Sequence, residues 1–408
     1  MSPALSTAPA SIRSSAEGET IGSLSVELSV VMPCLNEADT VAICVHKAVN
    51  ALRQLGIRGE VVIADNGSTD GSQALAESAG ARVVAIPDRG YGSALMGGIE
   101  AARGQWVIMG DADDSYDFND LERFVVALKA GCDLAQGCRL PGGGGTVLPG
   151  AMPFLHRWWG NPMFTLLARW WFHSPVHDIY CGLRGFRKSW WQGLGQRCTG
   201  MEFATEMLIK ASLTRAKIVE VPITLHPDGR KAHAPHLKTF RDGWRTLRFF
   251  LICTPKWLFL IPGLVCVGLG TLGYCLSLPG TKVLGVILDV HTLLCSSLAI
   301  LCGWQAIVFA ICTKTFAIKA GFLPRDTKLD RFFRIINLER GLGIACLMLI
   351  CGLGLIGWTL NEWRIGGFGF LDYPRTMRLV VPGATLTALG FQTILASFLV
   401  GILGTDRR

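Results

Sequence analysis

Charged residues are scarce in this chain of 408 residues, where Asp, Glu, Lys and Arg together make up 17%. Ordinary soluble domains contain roughly a quarter. Hydrophobic residues reach 50%, so the composition excludes an intrinsically disordered protein and indicates a membrane protein. The 14 cysteines include no C-x-x-C pair and no Cys/His array with metal-ligand spacing. They are typical of small buried hydrophobic residues in a reducing cytosol.

The net charge of +8 is unevenly distributed along the chain. Residues 28–229 hold 18 basic and 20 acidic residues, whereas residues 230–256 hold seven basic and one acidic, and residues 314–340 hold seven and three. The positive charge is therefore confined to two short segments, and no nucleic-acid partner is predicted. Residues 1–27 are rich in Ser, Ala and Gly and lack the apolar core of a secretory signal. They are predicted to form a disordered tail.

Residues 28–229 alternate between short β-branched runs and helix-length segments. The predicted strands are Leu28–Met32, Glu60–Ala64, Arg82–Ile86, Trp106–Met109 and Leu134–Gly137. The predicted helices are Val41–Leu55, Gln73–Ala79, Gly92–Ala102 and Leu121–Lys129. This alternation predicts an α/β domain with a mostly parallel sheet covered on both faces. In such a sheet the ligand site lies at the carboxyl ends of the strands.

Four long apolar runs follow, and each reaches the roughly 20 residues that span a bilayer. They cover residues 257–278, 284–312, 341–360 and 379–404. The positive-inside rule places both basic segments, and hence the α/β domain, on the cytoplasmic side of a multi-pass membrane protein. Asp289 and His291 fall within the second run, on its external half. They are functional groups inside the membrane, or side chains that snorkel towards the interface, or polar contacts between helices.

The segment 236–250 mixes cations with apolar residues. Leu237, Phe240, Trp244 and Leu247 recur at three-to-four-residue spacing. This pattern predicts an amphipathic helix that lies in the membrane interface.

Acidic residues follow the predicted strand Trp106–Met109 directly. Asp111 and Asp113 are two residues apart just past the strand end, where they can face one hard divalent cation such as Mg²⁺ or Mn²⁺. An acidic turn or helix cap is the alternative. Polar runs also follow the first two strands, at Pro33–Glu37 and Asp65–Gly71. Caps and turns explain each run singly, but three in succession predict a nucleotide site.

These motifs resemble family 2 glycosyltransferases of the GT-A fold. The P-x-x-N-E at Pro33–Glu37, the D-N-G-S-T-D-G run, the glycine-rich Arg89–Ala94 and the D-A-D are similar in order and spacing to the polyprenyl-phosphate branch, which includes dolichol-phosphate mannosyltransferases and bacterial glucosyltransferases. The resemblance covers about residues 28–250. It implies inverting transfer of a sugar from a nucleotide sugar, of the UDP-glucose or GDP-mannose type, to a polyprenyl phosphate. The location implied is the cytoplasmic face of a bacterial inner membrane.

The resemblance also implies a nucleotide and metal site. The implied nucleotide contacts are Pro33, Leu35, Glu37, Asp65, Asp111 and Ala112. Asp111 and Asp113 would hold Mg²⁺ or Mn²⁺, with Asp113 as a catalytic residue. Ser115 is the remaining candidate ligand, at a position where the branch often has Gln. Arg230 and Lys231 are possible contacts of the diphosphate.

The resemblance also implies a binding site for the lipid acceptor, formed mainly by positively charged side chains. Arg139 and Arg157, with Asn161, match positions where the family binds the lipid phosphate, and guanidinium groups suit bidentate phosphate contacts. The alternative is that the arginines face water.

Other motifs are assigned with alternatives. Asp178, Cys181, Gly182 and Arg184 resemble the family's D-x-x-S/C-G-x-R segment, although an Asp178–Arg184 ion pair is the structural alternative. Glu202 and Glu206 are candidates for sugar contacts or for solvated helix positions. His173 and His177 receive no role because Pro175 breaks the helix between them.

Two rival functions are kept. A processive polysaccharide synthase also couples this domain to membrane helices, but the Q-x-x-R-W motif of those enzymes is absent from the sequence. A lipid-translocating or scaffolding protein with an inactive domain is the second rival. The donor, the lipid chain length and homo-oligomer formation stay open at this stage.

Overall fold

A computed structural model describes residues 25–230, 239–280, 282–283, 286–335 and 337–404. The first strands are β1 (Leu28–Cys34), β2 (Gly59–Asp65), β3 (Arg82–Ala85), β4 (Trp106–Met109) and β5 (Leu134–Cys138). The helices between them are α1 (Val41–Gln54), α2 (Ser72–Ser78), α3 (Tyr91–Ala101) and α4 (Leu121–Lys129). Every predicted strand and helix of this part of the chain is confirmed, with ends that differ by no more than two residues.

The rest of the α/β domain contains further strands and helices. They are β6 (Thr146–Val147), α5 (Asn161–Phe172), β7 (Arg184–Arg187), α6 (Lys188–Leu194), α7 (Phe203–Leu213), β8 (Ile218–Pro222) and β9 (Thr224–Leu225). The main sheet has seven strands in the order β3-β2-β1-β4-β7-β5-β8, and only β7 runs antiparallel to its neighbours. A small second sheet pairs β6 with β9. The predicted mostly parallel α/β class is confirmed.

Hydrophobic side chains cover both faces of the main sheet. On one face the core is built with α1, α2 and α4, which contribute residues such as Val45, Ala76 and Phe124. On the other face it is built with α3, α5, α6 and α7. This second core also takes in Phe250 and Leu323, which come from the part of the chain beyond the domain. The second face is therefore the side from which the membrane region continues.

Helix α8 (Thr239–Cys253) overlaps the segment predicted to lie in the membrane interface. The sequence predicts a helix that lies in the membrane interface through Leu237, Phe240, Trp244 and Leu247. Leu237 and the side chain of Phe240 lie outside the described residues, and Trp244 is exposed. The α8 side chains in the second core are instead those of Phe249, Phe250 and Cys253, with Leu247 packed against them. The last turn of α8 thus joins the second core of the α/β domain, because it is apolar on the side that faces the sheet, and the interfacial location of the rest of the helix stays a prediction.

The membrane region consists of α9 (Ile261–Ser277), α10 (Val290–Lys319), α11 (Thr327–Ile335), α12 (Leu338–Ile365) and α13 (Tyr373–Gly404). A short hairpin of β10 (Lys282–Val283) and β11 (Val286–Ile287) precedes α10. Within the described residues, four helices are long and apolar enough to cross a membrane: Lys256–Ser277, Val290–Lys319, Leu338–Ile365 and Tyr373–Leu403. The four predicted spans are confirmed in number and order.

The second span begins later than predicted. The apolar run starts at residue 284, but α10 begins at Val290, so Asp289 precedes the helix and His291 lies in its first turn. Asp289 accepts a hydrogen bond from Arg378 of α13 at 3.1 Å. Asp289 therefore lies before the span, in contrast to the prediction, whereas His291 lies within it. The contact with another helix is the alternative that describes Asp289. The strand hairpin takes up the first apolar residues of the run.

Candidate active site

Three parallel strands bring the predicted polar motifs to one edge of the sheet. Strand β1 lies between β2 and β4, with Cys34 paired to Asp65 in the ladder. The amide of Gly110 donates to the carbonyl of Val31 at 3.2 Å, so the D-A-D motif starts beside the end of β1. The carboxyl ends of these strands therefore place the three motifs together, as the alternation of strands and helices predicts.

The two candidate metal ligands are held by different neighbours. The phenolic hydroxyl of Tyr91 donates to Asp111 Oδ1 at 2.8 Å. Asp113 Oδ1 accepts from the Ser115 hydroxyl at 2.6 Å and from the Ser115 amide at 3.1 Å. Ser115 thus orients Asp113, and its role as a metal ligand stays a prediction. Tyr91 lies in the glycine-rich motif, but the sequence predicts no role for it. Only the folded structure shows that it lies next to Asp111.

The third carboxylate of the acidic run is bound elsewhere. Lys47 of α1 donates to Asp114 Oδ1 at 2.8 Å, and Asp114 adopts a left-handed backbone conformation with φ of 62°. The hydroxyl of Thr40 donates to the carbonyl of Ala112 at 2.7 Å. Helix α1 therefore ties down the loop, and its ion pair with Asp114 leaves Asp111 and Asp113 as the carboxylates of the site.

A guanidinium group connects two motifs that are distant in sequence. Arg230 Nη2 lies 2.5 Å from Asp113 Oδ2, and its Nη1 lies 3.4 Å from Glu37 Oε1. Its Nε also contacts Asp228 at 3.0 Å. The amide of Gly229 donates to the carbonyl of Asp113 at 2.9 Å, which fixes the approach of this segment. Arg230 is thus at the predicted site, whereas Lys231 lies outside the described residues.

The charge balance favours a cation at the two aspartates. Burial, and next the charge of Asp113, raise the pKa of Asp111 to about 6. Asp113, Glu37 and Asp228 contact the single guanidinium of Arg230, and Asp111 interacts through its charge with Asp113, so negative charge is in excess. Two carboxylates supply the hard oxygen ligands that Mg²⁺ and Mn²⁺ use, with substrate phosphate oxygens completing the shell. The described residues contain no group of three or more His, Cys, Asp and Glu side chains that could enclose a metal alone.

The D-N-G-S-T-D-G run is braced by its own hydrogen bonds. Asp65 is buried and accepts from the amides of Gly67 and Ser68, and Gln73 donates to it at 3.0 Å. The amide of Glu37 donates to Ser72 at 2.9 Å, which links the run to the end of β1. The other implied nucleotide contacts differ in exposure. Pro33 is half-buried, Leu35 is 38% exposed and Ala112 is buried.

The glycine-rich motif makes room for a neighbouring loop. A Cβ atom on Gly92 would lie 2.3 Å from the carbonyl oxygen of Cys198, and one on Gly90 would lie 2.3 Å from that of Thr199. The amide of Ser93 donates to the Thr199 carbonyl at 3.1 Å. The two glycines therefore allow the backbones to touch, and this contact sets the position of Tyr91 beside Asp111.

Arg139 is paired with a carboxylate, whereas the sequence predicts either a contact with the acceptor phosphate or a side chain that faces water. Its Nε and Nη2 donate to the carboxylate of Asp178 at 2.7 and 2.9 Å, and both residues are buried. Burial alone raises the pKa of Asp178, but the charge and hydrogen bonds of Arg139 lower it overall. The alternative pair between Asp178 and Arg184 was wrong, since Arg184 donates to the carbonyls of Cys181, Ile179 and Ala204.

The other acceptor candidates lie on a surface segment. Arg157 belongs to a π-helical turn, His156–Gly160, that leads into α5, and its guanidinium lies 5.5 Å from the ring centroid of Trp158. Asn161 is buried and donates to the sulfur of Met152 at 3.4 Å. These contacts place Arg157 among aromatic side chains, and its role toward a phosphate stays a prediction.

Glu206 is a structural residue, in contrast to both predicted alternatives. It is fully buried, accepts from the amides of Arg197 and Cys198, and pairs with Lys210 at 2.7 Å. It therefore supports the loop that packs against Gly92. Glu202 remains partly exposed at the start of α7.

Comparisons with known proteins identify the family. A family described as glycosyl transferase family 2 matches residues 29–195, and one described as the glycosyltransferase family 2 C-terminal transmembrane region matches residues 311–404. The hexosyltransferase Agl6 of low-salt glycan biosynthesis from Haloferax volcanii is 38% identical over 92% of this chain and 89% of its own length. The chain belongs to glycosyltransferase family 2. It is a glycosyltransferase with a C-terminal transmembrane region.

Further relatives match the α/β domain of this glycosyltransferase. A dolichyl-phosphate hexose transferase of Haloferax volcanii is 30% identical over 53% of this chain and 89% of its own length. Among solved structures, glucosyl-3-phosphoglycerate synthase from Mycobacterium tuberculosis, in complex with Mn²⁺, UDP-glucose and phosphoglyceric acid, is 20% identical with a TM-score of 0.44. That similarity covers 56% of this chain and 79% of the synthase.

Proposed function

We propose that this glycosyltransferase transfers a hexose from a nucleotide sugar to a polyprenyl phosphate at the cytoplasmic membrane face, with inversion at the anomeric carbon. The single observation that carries the proposal is the pair Asp111 and Asp113, held at the edge of the sheet with an excess of negative charge. The names of two relatives, a hexosyltransferase and a dolichyl-phosphate hexose transferase, support the sugar and the lipid acceptor.

On the donor side, Asp111 and Asp113 would hold Mg²⁺ or Mn²⁺ together with the diphosphate. Bound there, the metal ion would supply charge that stabilises the departing nucleoside diphosphate. Arg230 lies beside Asp113 and adds a second positive charge to the same place. Glu37 and Asp65 lie at the adjoining strand ends, where we place the base and ribose. UDP-glucose and GDP-mannose are the donors proposed.

On the acceptor side, a phosphate oxygen of the lipid attacks the anomeric carbon opposite the leaving diphosphate. A phosphate monoester with a second pKa near 6 is mostly dianionic at pH 7, so no strong general base is required. Arg157, which is half-buried next to aromatic side chains, is proposed to bind this phosphate with Asn161. Arg139, which is paired with Asp178, is proposed to add positive charge on the acceptor side.

A donor and acceptor screen tests the proposal. The purified full chain is incubated with labelled UDP-glucose or GDP-mannose and undecaprenyl phosphate, first with Mg²⁺ and then with Mn²⁺. We expect a lipid that carries a single sugar with inverted configuration. A polymeric product would contradict the proposal in favour of a processive synthase, and an absence of transfer from every nucleotide sugar tested would contradict sugar transfer to this lipid class.

A further inference from the structure

The end of the second membrane span is packed into the α/β domain. Helix α10 carries this span and ends at Lys319. Ala317, near the end of the helix, and Leu323, in the turn after it, are buried in the second core. The amides of Phe322 and Leu323 donate to the carbonyl of Ala317 at 2.9 and 3.1 Å, which fixes the turn to the helix. The end of the span is therefore held firmly against the domain.

An arginine of the domain lies against this turn. Gly321 adopts a left-handed conformation with φ of 75°, and a Cβ atom added there would lie 3.0 Å from Nε of Arg197. The backbone of this arginine is bound as well, because the amides of Arg197 and Cys198 donate to the carboxylate of Glu206 at 2.9 and 2.8 Å. We call residues 197–200 the linking loop. Its first residue thus joins the end of the span to a fully buried carboxylate of α7.

The linking loop touches the glycine-rich motif that contains Tyr91. A Cβ atom on Gly90 or Gly92 would lie 2.3 Å from a carbonyl oxygen of the loop, so the two backbones are already in contact. Tyr91 lies between these glycines, and its hydroxyl donates to Asp111 Oδ1 at 2.8 Å. Close-packed interiors transmit displacements, because contacting atoms have no space to absorb them. A shift of the linking loop therefore changes the hydrogen bond that orients the Asp111 carboxylate.

We propose that the end of the second span positions Asp111 through the linking loop and Tyr91, so that the transmembrane region sets the geometry of the donor site as well as anchoring the chain. Tyr91 and Arg197 are then positioning residues, since each acts through another residue. Hydrogen bonds to a ligating side chain fix its orientation, and losing one typically lowers metal affinity by about ten- to hundredfold. The inference rests on the proposed cation site at Asp111 and Asp113.

Binding of Mn²⁺ to the full chain in nanodiscs, measured by electron paramagnetic resonance, tests the proposal. Tyr91→Phe keeps the ring and removes the hydroxyl donor, so we expect the dissociation constant for Mn²⁺ to rise about tenfold. The KM for the nucleotide sugar should rise with it, while the KM for the lipid acceptor stays unchanged. A residue that only stabilised the fold would not separate the two constants.

Two variants break the contact with the span. Gly321→Ala puts a Cβ atom against Arg197, and Arg197→Ala removes the side chain without straining the backbone. Each should raise the Mn²⁺ dissociation constant about fivefold, because the orientation of the ligand is loosened indirectly. Gly367→Ala is the matched control, because Gly367 has a similar φ of 68° and open space around an added Cβ. It lies between α12 and α13, at the opposite end of the spans, and should bind Mn²⁺ as the wild type does.

A double-mutant cycle identifies the route. If Gly321 acts through Tyr91, adding Gly321→Ala to Tyr91→Phe should change the Mn²⁺ dissociation constant by less than about twofold. Effects that multiply in the double variant would overturn the proposal, as would Mn²⁺ binding by Gly321→Ala and Arg197→Ala as tight as that of Gly367→Ala. Unchanged binding in Tyr91→Phe would also overturn it. A wild-type chain that binds no Mn²⁺ would remove the cation site of the proposed function itself, and this inference with it.

Discussion

Two ionic clusters lie near the carboxyl ends of the sheet, and they differ in how their charges are balanced. In the carboxylate cluster, Asp113, Glu37 and Asp228 share Arg230 at contacts of 2.5 to 3.4 Å, and Asp111 lies next to Asp113 in the D-A-D motif. In the second cluster, Arg139 and Asp178 form a buried one-to-one pair with two side-chain hydrogen bonds.

This difference separates a binding site from a structural pair. A buried ion pair with all its hydrogen bonds made has little to gain from a ligand, and removing one partner is costly. A cluster with excess carboxylate has a deficit of positive charge that a cation can meet. The excess at Asp111 and Asp113 is therefore the feature on which the proposed cation site rests, while the pairing of Arg139 with Asp178 reduces its capacity to bind an acceptor phosphate.

The largest effect is expected when the carboxylate cluster is broken. Asp113→Asn removes one of the two anionic oxygen donors, and we expect transfer to fall at least about a thousandfold, equivalent to about 4 kcal/mol of transition-state stabilisation. The folded protein should persist in membranes. Asp114→Asn is the matched control, since Lys47 holds that carboxylate at 2.8 Å. Full activity of the Asp113 variant in a radiolabel transfer assay would exclude the assignment.

Breaking the second cluster, the pair of Arg139 and Asp178, should lower the stability of the folded protein. Asp178→Asn leaves the buried charge of Arg139 without its anion, and we expect the free energy of unfolding to fall by about 3 kcal/mol. Thermal unfolding of the purified protein, followed by intrinsic fluorescence, measures the change. If stability is unaltered while the KM for the lipid acceptor changes, Arg139 is a phosphate ligand and the contrast between the clusters is wrong.

Removing Arg230 tests whether the carboxylate cluster lacks positive charge, because its guanidinium contacts Asp113. Arg230→Ala should lower transfer by about tenfold, or roughly 1.4 kcal/mol, because the diphosphate loses a positive charge. In the absence of nucleotide the same variant should bind Mn²⁺ several-fold more tightly, since the guanidinium no longer occupies Asp113 Oδ2. Weaker Mn²⁺ binding would mean that Arg230 organises the site instead of competing for it.

The smallest effect is expected at a surface pair. Arg58 contacts Glu27 at 3.0 Å, and the side chains are 48% and 33% exposed. Arg58→Ala should change stability by less than about 1 kcal/mol, because water screens exposed pairs. A thermal shift as large as that of Asp178→Asn would show that burial does not explain the difference between ion pairs in this protein.

Much of the fold was predictable because the hydrophobic periodicity is strong. The alternation of strands and helices up to β5 predicts that Asp65 and Asp111 lie at strand ends, and the structure confirms both positions. Strand β7 was missed because Arg184–Arg187 is a short segment with arginine at both ends, and only its place between two strands makes it part of the sheet. The start of α10 was misjudged because the hairpin before it is as apolar as a membrane helix.

The acidic motifs of the candidate site could be predicted from the sequence, but the side-chain contacts around them could not. Motif spacing singled out Asp111 and Asp113, and Arg230 was a possible diphosphate contact that the structure places beside Asp113, but spacing carries no information about pairing across the fold. The contact of Tyr91 with Asp111 and the pairing of Arg139 with Asp178 depend on segments 20 and 39 residues apart. Glu206 has the pattern of a helix-surface residue, yet the loop before α7 covers it.

Binding of Mn²⁺ tests the central claim most directly. Electron paramagnetic resonance can count the Mn²⁺ bound by the full chain in the presence of UDP or GDP. The carboxylate cluster predicts that the wild-type chain binds a single Mn²⁺ with the nucleotide and that Asp113→Asn does not, while both remain folded. Equal binding by the two proteins would contradict the claim that Asp111 and Asp113 form the cation site of this glycosyltransferase.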